Sequence, residues 1–200
     1  MSPRLNHCQR RAQIVETAAA LFAKKGFHRT TTREIARKVG VSEAMIFKHF
    51  ARKEKLYASI LDLKARQEDP LAEVKQAAER KDDPGVFAAL ARHFLLRVEK
   101  DPYLLRLLLF SALEHHRLAE TFVDHHVLRI HYFLRDYIKQ RVDDGDFQSL
   151  DPLIAARSFV GMVSHHILAQ EIFGMKKHFN PDRDKIIDTF VKIFLKGVRI

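Results

Sequence analysis

Residues 30–50 read TTTREIARKVGVSEAMIFKHF. Ile35, Ala36 and Val39 share one face at helical spacing, and Gly40 stands where a helix would end in a left-handed turn. Thr31 or Thr32 can cap the first helix, because a hydroxyl accepts an orphan N–H of the first turn. Ser42 can cap a second helix, about residues 43–49, that carries Met45, Ile46 and Phe50 inward. Glu43, Ala44, Phe47, Lys48 and His49 then face outward. Two short helices around a glycine turn form the helix-turn-helix, whose second helix enters the DNA major groove.

Charge around this stretch supports that reading. The 200-residue chain carries a net charge of +10. Residues 1–53 hold twelve Lys or Arg against three Glu, while residues 54–200 hold twenty-three against twenty-two Asp or Glu. A solvated surface would spread the excess, whereas a phosphate-binding surface concentrates it.

Upstream, Ile14, Ala18, Leu21 and Phe22 predict an amphipathic helix over residues 9–25, closed by Lys24, Lys25 and Gly26. Phe27 is expected beneath the helix-turn-helix. Downstream, Lys53 and Glu54 open a fourth helix through Leu56, Ile60, Leu61 and Leu63. Five of the six prolines follow Asp or Asn: Asp69-Pro70, Asp83-Pro84, Asp101-Pro102, Asp151-Pro152 and Asn180-Pro181. Each pair is a helix-start signal. They predict helices near 70–81, 84–100, 102–116, 118–144, 152–173 and 181–198, with Gly145 and Gly174 at two ends. No strand alternation or hairpin pair interrupts the pattern. The expectation is an all-α fold of about ten helices, with a DNA-binding domain at 8–67 and a larger helical domain at 70–200.

The last two helices are apolar on more than one side, so both sides need covering. One side can face the chain's own core and the other a second copy across a two-fold axis. That dimer face is expected to include Gly161, Ile167, Leu168, Ile187, Phe190, Val191 and Phe194, with Gly161 allowing close backbone approach.

Composition narrows the remaining classes. Hydrophobic residues make up 46% and charged residues 30% of the chain, an ordinary globular balance. No apolar run reaches membrane-spanning length, and MSPRLNHCQRRAQ lacks a secretory core, so a cytoplasmic protein is expected. Cys8, the single cysteine, reads as an unremarkable thiol. Nine of the twelve histidines lie between His93 and His178, including His115-His116, His125-His126 and His165-His166. Adjacent helical residues diverge by about 100° and chelate poorly. His116, Glu120 and Asp124 have better spacing, but a charged helical stripe is ordinarily solvated, and neither a metal nor a cofactor is expected. Phosphate-binding glycine loops, nucleophile elbows and metalloprotease motifs are missing from the sequence, which gives no support to an enzyme.

Across residues 14–56 the chain resembles the TetR family of bacterial transcriptional regulators. The matching residues are Ile14, Ala18, Leu21-Phe22 and Gly26-Phe27, then Thr31-Thr32, Ile35-Ala36 and Gly40-Val41-Ser42, then Phe47, His49-Phe50, Lys53-Glu54 and Leu56. The resemblance implies a homodimer that binds double-stranded operator DNA through Thr31, Thr32, Arg33, Ser42, Glu43, Ala44, Phe47, Lys48, His49 and Lys53. In it, Thr32, Arg33, His49 and Lys53 would meet phosphates, and Glu43, Ala44 and Lys48 would meet base edges or flanking backbone. The family most often has Tyr where this chain has Phe47, which cannot donate to a phosphate. Glu43 could accept from cytosine N4 or repel and narrow the choice. The resemblance also implies a small-molecule effector cavity. Phe87, Leu90, Phe94, Leu107, Phe110 and Phe122, with Met162, His165 and His166, are its expected lining, suited to an apolar or amphipathic effector. An alternative function is a DNA-bound scaffold that docks a protein partner.

Overall fold

The computed structural model describes residues 6–65, 71–114, 120 and 122–200. The described residues form ten α-helices: α1 (His7–Lys25), α2 (Thr32–Val39), α3 (Glu43–His49), α4 (Lys53–Ala65), α5 (Ala72–Glu79), α6 (Asp83–Lys100), α7 (Pro102–Leu113), α8 (Leu128–Asp143), α9 (Pro152–Glu171) and α10 (Arg183–Val198). A π-helical turn (Val123–Val127) leads into α8, and a 3-10 turn (Met175–Lys177) lies between α9 and α10. The only β-type pairing among the described residues is an isolated antiparallel bridge between Phe147 and Arg199. The all-α expectation holds. No described helix is long and apolar enough to cross a membrane.

The chain separates into two compact units, one of residues 1–67 with 103–123 and one of residues 68–102 with 124–200. The described residues of 103–123 thus group with the N-terminal helices, although they follow the boundary expected at 67–70 from sequence. That boundary, Pro70, and His115-His116 lie outside the described residues, as does the side chain of His125.

In the first unit, Asn6 opens α1 with a capping box, its side chain accepting from the Gln9 N–H. Ile14, Ala18, Leu21 and Phe22 are buried, as their spacing requires. Phe22, Phe27 and Tyr57 form an aromatic knot, with Tyr57 edge-on to Phe22 at 4.9 Å and to Phe27 at 5.2 Å. The Tyr57 hydroxyl donates to the Leu107 carbonyl at 2.8 Å, and Arg106 Nε donates to the Ala23 carbonyl at 2.9 Å. These bonds fix α7 against α1 and α4. Leu63 is exposed, since Leu56 and Ile60 already occupy the inward stripe of α4.

The second unit is built around Phe87 of α6, whose ring meets Phe159 of α9 at 4.8 Å and Phe194 of α10 at 4.7 Å. The start of α6 corrects the sequence reading. Asp82, not Asp83, is the cap, accepting from the Gly85 N–H. Asp83 instead turns inward, 2% exposed. Its Oδ1 accepts from the Tyr137 hydroxyl at 2.6 Å and Arg141 Nε at 2.9 Å, and its Oδ2 accepts from Arg199 Nη2 at 2.9 Å. A buried carboxylate needs such partners, and they tie α6, α8 and the chain's C-terminal residues together. The last start signal also shifts: Asp182, two residues after Asn180, caps α10. Gly145 and Gly174 adopt positive φ at helix ends, as expected.

The two-sided character of α9 and α10 is present, but the sides are assigned differently. Ile167, Ile187, Val191 and Phe194, expected on a dimer face, are buried in the chain's own core. Ile154 (64% exposed), Gly161 and Ile193 (58% exposed) occupy the outer side. Phe190 and Leu168 are half-buried. A hydrophobic pattern shows two stripes without saying which one the protomer covers.

Burial alone would raise the Asp83 pKa, but the bonds from Tyr137, Arg199 and Arg141 outweigh it and hold the carboxyl below its ordinary value. Its stabilisation is therefore complete above the unfolded value of about 3.9 and disappears as pH falls through the lower folded value. Asp83→Ala removes the shared acceptor of Tyr137, Arg141 and Arg199, leaving Arg141 only Asp144 and Asp146, and should cost about 2 kcal/mol at neutral pH in chemical denaturation. The variant should also lose stability less steeply than the parent on acidification.

Candidate nucleic-acid interface

The α2–α3 pair is assembled by local bonds that the sequence supplies. Thr31 Oγ1 accepts from the Glu34 N–H, and Ser42 Oγ accepts from the Met45 N–H. Gly40 takes the left-handed conformation at φ 78° and reverses the chain within one residue. Ile35, Ala36, Val39, Ile46 and Phe50 are buried beneath the pair. Met45, expected inward, is exposed instead. Helix α3 has seven residues, and Ile46 with Phe50 already fill its inward stripe, so Met45 lies about 100° away.

The outer face carries Ser42, Ala44, Met45, Phe47 (46% exposed) and Lys48. Arg33 projects from the start of α2 with an 89% exposed side chain. Both acidic residues of the α2–α3 pair are engaged within the protein. Glu34 accepts from Lys25 Nζ at 2.5 Å. Glu43 Oε1 accepts from Thr32 Oγ1 at 2.5 Å, while its Oε2 lies 3.7 Å from Arg33 Nε. Each acid is thereby matched by a basic partner, Lys25 for Glu34 and Arg33 for Glu43.

Two expected phosphate ligands are positioned otherwise. Lys53 Nζ donates to the carbonyls of Phe27 at 2.9 Å and Thr30 at 3.0 Å and lies 4.1 Å from the Phe27 ring centroid. It bolts the start of α4 to the turn that delivers α2. His49 turns toward the start of α1, its ring 4.4 Å from that of His7, and its buried Nδ1 has no hydrogen-bond partner. Burial, followed by the charges of His7, Lys48, Arg11 and Arg10, pushes the His49 pKa below its ordinary value and favours the neutral ring. His7 lies 42 positions away in the chain, and no local pattern reveals that meeting.

The same α1–α2 turn is held from a second direction. Glu114, just past α7, accepts from the Phe27 N–H at 2.9 Å. Gly26 sits beneath this carboxylate at φ 81°, where a Cβ would collide with it. Sequence reading missed Glu114, Arg106 and Tyr57, because each acts through a backbone atom far away in the chain.

Of the expected effector lining, Leu107, Phe110 and Phe122 belong to the first unit, and Phe87, Leu90 and Phe94 to the second. Phe87, Leu90 and Leu107 are fully buried in packing, and Phe94, Phe110 and Phe122 are half-buried. Met162, His165 and His166 line an open groove of about 300 Å³ with Gln170, Phe179 and Phe190. A neighbouring groove of about 480 Å³ is lined by Ile154, Ser158, Met162, Ile193 and Gly197. Both lie on the outer side of α9 and α10. Burial, then His165, lowers the His166 pKa. Among the described residues, no group of three or more His, Cys, Asp or Glu is arranged to hold a metal ion.

Residues 14–60 match the pattern of "Bacterial regulatory proteins, tetR family", and residues 87–197 match that of "AefR-like transcriptional repressor, C-terminal domain". The second match alone covers more than half of the chain. YvkB of Bacillus subtilis, an uncharacterized HTH-type transcriptional regulator, is 25% identical over 189 residues, covering 93% of this chain and 95% of that protein. The nucleoid occlusion factor SlmA of Alteromonas mediterranea is 30% identical over 112 residues, which is 56% of each chain and so little more than half of that protein. The structure of AibR in complex with isovaleryl coenzyme A and operator DNA superposes with a TM-score of 0.69, covering 92% of this chain and 97% of that one at 24% identity, a likeness of fold.

Lys53→Met keeps the aliphatic stem but removes two charge-assisted bonds to the turn. It should lower unfolding stability by about 2 kcal/mol in urea denaturation. A midpoint equal to the parent's would show that the turn holds without it.

Proposed function

This chain belongs to the TetR family of bacterial regulatory proteins, a family of DNA-binding transcriptional regulators, and from there we propose that it is an effector-responsive homodimeric repressor acting in the cytoplasm. The observation that carries the DNA-binding half is the α2–α3 face, where Arg33 and Lys48 stand exposed while Glu34 and Glu43 are engaged internally. In this reading α3 enters the major groove of one half of a near-palindromic operator. Arg33 and Lys48 neutralise phosphate, while Ala44, Met45 and Phe47 offer apolar contact to base edges such as the thymine methyl. Lys53 and His49 act mainly by positioning the helices.

Dimerisation in this proposal uses the outer side of α9 and α10. Exposed Ile154 and Ile193 flank a groove that also contains Gly197, Gly161 is exposed on α9, and a second copy would cover this surface. Repression is relieved when a small apolar or amphipathic effector binds one conformation of the C-terminal domain better than the other. AibR, which shares the fold, was crystallised with isovaleryl coenzyme A and operator DNA together, and such pairing supports the effector half of the reading.

A second reading, a DNA-bound scaffold for a protein partner, draws on exposed Phe173, Met175 and Phe179 between α9 and α10 and on the similarity to SlmA. Selection of bound fragments from genomic DNA, followed by effector screening on the recovered operator, decides between the two. Release by a small molecule supports the first reading. Operator binding indifferent to every compound, combined with capture of a defined protein through the 172–180 segment, supports the second.

Lys48→Ala and Arg33→Ala should each weaken operator binding and lower the magnitude of the salt slope by roughly one. Unchanged affinity and slope would remove these side chains from the interface. Ile154→Glu combined with Ile193→Glu should yield a monomer in sedimentation and weaken operator binding on the order of a hundredfold through lost bivalency. A stable dimer in that double variant would place the interface elsewhere.

A further inference from the structure

Glu43 presents a puzzle: it is an acid at the first position of the recognition helix, on a face that meets a polyanion. Its carboxylate is already occupied in the free protein, with Oε1 on the Thr32 hydroxyl at 2.5 Å and Oε2 3.7 Å from Arg33 Nε. Thr32 and Arg33 are the first two residues of α2, and Arg33 is otherwise bare to solvent. The carboxylate thus occupies the place that a phosphate oxygen would take at the start of α2.

We infer that Glu43 is a specificity gate, holding Thr32 and Arg33 away from phosphate until a base amino group takes over its carboxylate. The inference rests on the reading of the α2–α3 face as the DNA surface. A phosphate approaching α2 competes with Glu43 for the same hydroxyl and guanidinium. If Glu43 gives them up, its carboxylate must find another donor or remain unpaired beside the DNA backbone. In the major groove such donors are the N4 amino group of cytosine and the N6 amino group of adenine. At a site presenting one of them in register, the exchange keeps every group paired. At other sites the carboxylate either stays on Thr32 and Arg33, so that a phosphate contact is lost, or stands unpaired. Specificity then comes from a penalty on the wrong sequence rather than from tighter binding to the right one.

The test compares the full-length protein with Glu43→Gln and Glu43→Asp on the selected operator and on a mixed-sequence duplex, by fluorescence anisotropy across a salt series. Glu43→Gln removes the charge that holds Arg33. Glu43→Asp keeps the charge but is one methylene too short to span both partners. Both variants should bind the mixed-sequence duplex roughly tenfold more tightly, the scale of one charge-assisted hydrogen bond, while operator affinity rises less. The salt slope on the mixed-sequence duplex should steepen by about one as Arg33 becomes free to neutralise a phosphate. A gain in Glu43→Gln with parental behaviour in Glu43→Asp would indicate simple repulsion and overturn the gate. So would equal gains on both duplexes, unchanged binding on both, or loss of binding in both variants. Failure of the parent protein to bind any DNA would instead bring down the reading on which the gate rests.

Discussion

A seven-residue helix has no stability of its own in water, since nucleating it costs more than one or two turns of hydrogen bonds return. Everything around α3 answers that constraint. Ser42 caps it, Ile46 and Phe50 root it in the core, and Gly40 sets its angle to α2. The turn before α2 is itself held by Lys53 from one side and Glu114 from another. The outer residues of α3 are thereby relieved of structural duty, which is why Ala44, Phe47 and Lys48 can be left to solvent and to a partner.

That same demand changes the meaning of the charges. The N-terminal excess of basic residues looks like a uniform phosphate-binding coat when it is counted along the chain. In three dimensions the charges divide into those that build and those that reach out. Lys53 and Lys25 are engaged with the protein's own carbonyl and carboxylate oxygens, whereas Arg33 and Lys48 extend outward. Acidic residues divide likewise, and Glu43 joins the two sets because its partners are themselves interface residues.

In the second unit a different arrangement solves a related problem. Asp83 is buried with Tyr137 and Arg141 and is reached by Arg199 from the chain's end. The backbone bridge between Phe147 and Arg199 and the bond from the Gln148 N–H to the Val198 carbonyl hold that end in place. This network anchors the inner sides of α6, α8 and α10. The outer side of α9 and α10 is left apolar and uncovered, the condition for joining a second copy.

Local signals in the sequence determined a good deal. Caps at Thr31, Ser42 and Asp151, the glycines that end helices, and the 3.6-residue apolar spacing depend on residues within one or two turns, and these elements stand as read. Other features were decided by tertiary structure alone. Asp83 was read as a cap and became a buried anchor, because Tyr137 and Arg199 lie far along the chain. Lys53 and His49, both expected at phosphates, meet the Phe27 carbonyl and the His7 ring respectively, contacts that only the fold brings together. Of the two apolar stripes on α9 and α10, the one bearing Ile187 and Val191 went inside and the one bearing Ile154 and Ile193 stayed out. Periodicity fixes the angle between side chains on one helix, but which angle faces the core depends on where the other helices pack.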